Sequence, residues 1–155
     1  MTTHEGAERW QVKRGTVAER NKYMFNNPLL SDIKFSFPDD TIIPAHKYVL
    51  AVSSSVFFAM FYGDLAETKD TIDIIDCDPD TFLSFLCFIY CDEAIFKDTH
   101  SAVKVMLLAD KYDVPSLTSE IVKYIDGEMN PSSAFELLAF ARQLNEKGLE
   151  GLAGR

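Results

Sequence analysis

The sequence predicts an α+β fold, a small three-stranded sheet packed against a cluster of helices and preceded by one more helix. Two stretches alternate apolar and polar residues as half-buried strands do: Ile33-Lys34-Phe35-Ser36-Phe37 and Thr71-Ile72-Asp73-Ile74-Ile75. Most of the remaining apolar residues recur at helical spacing. With 155 residues, 47% of them hydrophobic, and twelve Phe, the chain suits one domain with a real core and is not a disordered segment.

Residues 1–15 are polar and unpatterned and are expected to form a mobile arm. Thr16-Val17-Ala18-Glu19 is a capping box, and the helix it opens carries Val17, Met24 and Phe25 at i, i+7 and i+8. So short a helix needs a partner surface for its apolar side, and Pro28 ends it. Ile33 to Phe37 then pairs through a Pro38-Asp39-Asp40 turn with Thr41-Ile42-Ile43 as a hairpin. Between Pro44 and Glu67 lie two short apolar helices, the centre of the core. The first places Ala45, Tyr48, Val49 and Val52 on one face, and the second carries Val56, Phe57, Met60 and Phe61. Ser53, Ser54 and Ser55 offer caps to the second helix, and Gly63 suits a left-handed residue past its end.

The third strand follows at Thr71, and Asp78-Pro79-Asp80 is a strong helix start, with Asp as N-cap and Pro at N1. Phe82, Phe85, Leu86 and Ile89 form one face of that helix, with Leu83, Cys87 and Tyr90 on another, so it is expected between layers. A helix opening at Asp98 or Thr99 carries Val103, Met106 and Leu107 to about Tyr112. After Val114-Pro115, another bears Leu117, Ile121, Tyr124 and Ile125 and ends near Gly127. Asn130-Pro131 opens the last, with Ala134, Leu137, Leu138 and Ala141 inward, and the glycine-rich tail from Gly148 supports no further helices. Phe35, Val49, Phe57, Met60, Phe61, Phe82, Leu86, Ile89, Leu107 and Ile121 are the expected core.

Charge and composition exclude several functions. A net charge of −9 and a pI near 4.7 disfavour binding a polyanion, so nucleic acid is not an expected partner. Residues 1–22 carry +2 and the rest −11, so the arm either docks on an acidic neighbour, such as a second copy, or is solvated. No apolar run approaches the ~20 residues of a membrane span, and no membrane contact is expected. Three unpatterned cysteines and a polar N-terminus point to a reducing compartment, the cytoplasm with the nucleus as second choice.

Reaction chemistry is not apparent. Cys87 and Cys91 sit four apart without the second pair of a zinc motif, and small thiols also fill core gaps. His46 opens a helix and reads as a core histidine bonded to backbone. With no phosphate loop, nucleophile elbow or paired catalytic carboxylates, no enzyme, cofactor or metal is expected.

Ser31-Asp32-Ile33, Pro44-Ala45-His46-Lys47-Tyr48-Val49-Leu50-Ala51 and Ser54-Ser55-Val56-Phe57-Phe58-Ala59-Met60-Phe61 together resemble the signature of the BTB/POZ domain, a protein-interaction fold, across residues 16–127. Trp10-Gln11, Thr16-Val17, Glu19-Arg20 and Met24-Phe25-Asn26-Asn27 are similar to the segment before that domain in the subgroup that also carries BACK and PHR domains. Residues 128–155 then resemble the start of a BACK-like helical region, cut short here by truncation or by nature. The resemblance implies a homodimer in which the Thr16–Asn26 helix crosses the two-fold axis, with Val17, Tyr23, Met24, Phe25, Tyr48 and Val52 at the interface. It also implies a charged pocket of Asp32 and Lys47, for which a structural pair is the other reading. Leu65-Ala66-Glu67 resembles the hydrophobic-x-Glu motif by which BTB adaptors contact cullin-3, with Tyr62 and Asp92 as flanking contacts. The function so implied is the adaptor part of a cullin-3 ubiquitin ligase, with the substrate protein held by further C-terminal domains; the alternative is an assembly or corepressor-recruiting module without cullin.

Overall fold

The computed structural model describes residues 9–66 and 68–153, with side chains up to Glu146. In chain order the elements are α1 (Trp10–Lys13), α2 (Val17–Met24), β1 (Ile33–Ser36), β2 (Ile42–Ala45), α3 (Lys47–Ser53), α4 (Ser55–Tyr62), β3 (Thr71–Asp73), α5 (Pro79–Cys91), α6 (Thr99–Lys111), α7 (Pro115–Glu128) and α8 (Pro131–Ala153). The fold is the expected α+β one. The sheet order is β2-β1-β3, with β2 antiparallel and β3 parallel to β1. Pro44 lies opposite Lys34 in β2, an edge strand, where its missing N–H costs the ladder least.

Helix α5 is the central post: α2, α3 and α6 all pack on it, and α6 in turn carries α7 and α8. The core is aromatic where sheet and helices meet. Phe35 meets Phe82 with ring centroids 4.7 Å apart, and Phe57 stacks on Tyr112 at 4.3 Å. Phe35, Phe57, Phe82, Leu86 and Ile121 are fully buried, and Phe61 and Ile89 nearly so.

Several local expectations change. In α3 the buried residues are Leu50 and Ala51; Val49 is half-buried, while Tyr48 and Val52 face outward. The helix begins only at Lys47, leaving Ala45 in β2, and the Leu50 side turns toward the core. Met60 is only partly covered. Leu107 is exposed, because α6 turns Ala102, Val105, Leu108 and Ala109 inward instead. Gly63 is not left-handed (φ −76); a Cβ there would lie 2.5 Å from the Ala59 carbonyl oxygen, so close approach is what requires glycine. Strand β3 stops at Asp73, and Ile75 is exposed. Residues 10–13 form a helical turn within the segment expected to be irregular, anchored by Trp10 stacked on Tyr23 at 4.8 Å. Helix α8 continues through the glycines to Ala153.

Candidate protein-interaction surfaces

Helices α2 and α3, both seated on α5, together with Phe25 just past the end of α2, hold the six residues expected at a dimer interface. Val17, Tyr48 and Val52 are open, at 67%, 72% and 66% exposure. Tyr48 and Val52 are four apart and so share one face of α3. Met24 and Phe25, by contrast, are partly buried against the chain's own core, with the Phe25 ring 6.0 Å from Tyr90. Tyr23 is sandwiched by Trp10 and by the Arg14 guanidinium, 4.1 Å from its ring. These three residues therefore have at least partial cover within their own chain, which the sequence did not assure. Val17 is the large apolar residue of α2 that stays mostly exposed.

Asp32 and Lys47 are adjacent, but they do not make a side-chain ion pair. The Asp32 carboxylate accepts the Lys47 backbone N–H at 2.8 Å, where the N-cap residue His46 makes no side-chain capping bond. Asp32 thus caps α3 from the start of β1. The Lys47 ammonium points elsewhere, 5.7 Å from the Phe61 ring centre.

Helix α4 divides its aromatics by face. Phe57 and Phe61 point inward, whereas Phe58 and Tyr62, one turn apart, are 55% and 52% exposed with rings 6.1 Å apart. Leu65 follows three residues on, in the turn past the helix end, and is 96% exposed. Phe58 was missed in the sequence; its i, i+4 spacing with Tyr62 on α4 was the available signal. Glu67 lies outside the described residues. Asp92 stands at the C-terminus of α5 in the left-handed region, donating its N–H to the Phe88 carbonyl, and among the described residues no hydrogen bond ties it to Tyr62 or Leu65.

At that same end of α5, Cys87 and Cys91 are free thiols, with Glu93 beside Cys91 and bridged to Lys22 of α2. Burial pushes the Cys87 thiol up to about 11 and Cys91 above its ordinary value, the reverse of what a nucleophilic thiolate needs. Cys77 is pushed up to about 12 by burial and the carboxylates of Asp78 and Asp76. His46 is buried between the Leu29 carbonyl and the Tyr90 hydroxyl.

The family model of the BTB/POZ domain matches residues 21–147. This chain belongs to the BTB/POZ family.

The BTB/POZ match runs from within α2 to within α8. Among relatives, the chain is 42% identical over 149 residues to human "BTB/POZ domain-containing protein 6", covering 94% of this chain and 28% of that protein. It is 45% identical over 136 residues to human "BTB/POZ domain-containing protein 3", covering 86% of this chain and 26% of that one. The chain therefore spans about a quarter of the length of these relatives. The solved "BTB domain of zebrafish PATZ1" superposes with a TM-score of 0.60 at 19% identity, covering 76% of this chain and 94% of that one, a likeness of fold. The BTB/POZ domain is a protein-interaction module, and its working parts here are surfaces.

Proposed function

We propose that this BTB/POZ domain is the homodimeric adaptor part of a cullin-3 RING ubiquitin ligase, with substrate choice made by domains outside residues 1–155. The observation that carries the reading is Leu65, 96% exposed in the turn just past the helix that bears the exposed Phe58 and Tyr62. Leu65, almost wholly in water, forgoes about 1.5–3 kcal/mol, and the half-covered Phe58 and Tyr62 forgo less, which a partner pocket recovers. Leu65 is placed to fill such a pocket as the anchor, and Glu67, next but one in sequence, offers a carboxylate to orient the docking. Val17, Tyr48 and Val52 supply the apolar area for association of two copies.

The test is capture of the isolated cullin-3 N-terminal domain by the purified chain. Wild type is expected to bind, Leu65→Asp to lose at least ~2 kcal/mol, about thirtyfold in affinity, and Glu67→Ala to lose less. Dimer and melting temperature should stay nearly unchanged, because Leu65 touches no core. Wild type that ignores the cullin domain at tens of micromolar, or Leu65→Asp that binds equally well, rejects the adaptor reading. The exposed Tyr48–Val52 face needs no cullin, and in that event it favours an assembly or corepressor-recruiting module.

A further inference from the structure

The last turn of α5 gathers three metal-ligating side chains that neither interaction surface uses. Cys87 and Cys91, four apart on one helix, hold their Sγ atoms 3.9 Å from each other. Asp92 then adopts a left-handed conformation (φ 61, ψ 17) that turns the chain back. Glu93 Oε2 comes to lie 3.5 Å from Cys91 Sγ. One ligand atom from each of the three lies within 4.8 Å of the others, and all three residues are half-buried.

We propose that Cys87, Cys91 and Glu93 form a site for one thiophilic divalent d¹⁰ cation, zinc or cadmium, with the fourth coordination position left to water. Two sulfurs and one oxygen select such an ion over magnesium or calcium, which take oxygen ligands. Tetrahedral bonds of ~2.3 Å separate two sulfurs by roughly 3.8 Å, the spacing the metal-free thiols already have within a tenth of an ångström or so. Binding forms two metal–sulfur bonds and one metal–oxygen bond, and releases both thiol protons to water.

Charge closes as well. Two thiolates, one carboxylate and a divalent ion sum to a single negative charge, and Lys22 supplies the positive one, its Nζ 3.0 Å from each Glu93 oxygen. One carboxylate oxygen can bind the ion while the other keeps Lys22, the second-layer arrangement that fixes a ligand's orientation. The site also sits at a helix C-terminus, where the backbone carbonyls favour a cation. The sequence hid this because Cys-x-x-x-Cys lacks a second cysteine pair; the third ligand appears only once Asp92 has turned the chain.

The experiment titrates the full chain, kept reduced by a non-thiol phosphine, with cadmium chloride and reads the ultraviolet thiolate-to-cadmium charge-transfer band. The band should saturate at one cation per chain and be suppressed by added zinc. Cys87→Ser and Cys91→Ser should each weaken binding at least about tenfold, and the double variant should lose the band. Glu93→Gln alters a side chain that is 40% exposed, so the metal-free melting temperature should hold while affinity falls about tenfold. Cys77→Ser should leave the titration unchanged. Absence of a saturable band in wild type, its survival in the double variant, or wild-type affinity in Glu93→Gln overturns the site.

Discussion

At the scale of single residues, His46 and Tyr90 show how this fold closes its polar accounts. His46 Nε2 lies 2.7 Å from the Leu29 carbonyl, which only accepts, so Nε2 carries the proton. In the neutral tautomer Nδ1 is a lone pair and takes the Tyr90 O–H at 2.7 Å, while the same phenol oxygen accepts the His46 backbone N–H at 3.0 Å. Burial pushes the Tyr90 phenol well above its ordinary value and keeps that proton in place as the donor. One side chain thus joins α5 to the β2–α3 junction, and through the His46 ring to the chain ahead of β1. Tyr90→Phe keeps the ring but strands a buried Nδ1 and a buried N–H. It should destabilise the chain by about 1–3 kcal/mol in urea unfolding, whereas Tyr62→Phe on the surface should change stability by less than about 0.5. Equal effects of the two substitutions would refute the network's importance.

At the scale of elements, the helix starts with a capping side chain were readable, and so were the inward faces of α4, α5 and α7, but those of α3 and α6 were read only in part. Thr16, Ser54, Asp78 and Asp98 each accept a backbone N–H three residues on, as their side-chain chemistry requires. Such a cap is decided within four residues, so sequence suffices. Which side of a short helix faces inward is decided by distant partners, and Tyr48, Val52 and Leu107 are apolar residues left outside by that choice. Helix α5 is the element whose cap matters most, since three helices lean on it. Burial raises the affinity of Asp78 for a proton, but hydrogen bonds from the Thr81 side chain and N–H, with Lys104 nearby, outweigh it and hold the carboxyl below its ordinary range. A carboxyl depressed in the folded state contributes stability above its unfolded value of about 3.9, lost as pH falls through the folded value. Acid should therefore destabilise wild type more than Asp78→Asn, which keeps a cap that cannot titrate. At neutral pH, Asp78→Ala should cost about 1 kcal/mol. Parallel acid-melting curves for wild type and Asp78→Asn would remove this carboxylate from the explanation.

At the scale of the whole molecule, the sheet, the helix order and the family signature were legible because they rest on periodicity and long ordered motifs. The surfaces were legible only in part. The family resemblance named Leu65, Tyr48 and Val52, but neither it nor spacing could tell that Met24 and Phe25 are partly covered within their own chain or that Phe58 is not. That distinction sets the expectation for self-association. With Met24 and Phe25 packed against the chain's own core, two copies are expected to meet chiefly through Val17 and the Tyr48–Val52 face of α3. Two bodies of −9 each repel one another, and salt shortens that repulsion to about 8 Å at physiological ionic strength while leaving apolar burial intact. The dimer should therefore tighten as salt is raised, opposite to a dimer held by ion pairs. Light scattering should report twice the 17.5 kDa chain mass. Val52→Asp should place a charge in the apolar contact and give a monomer whose helical circular dichroism is retained, because Val52 is 66% exposed within the chain. A wild-type monomer at every salt concentration, or a Val52→Asp chain that dimerises as before, would show that α3 is not where two copies meet.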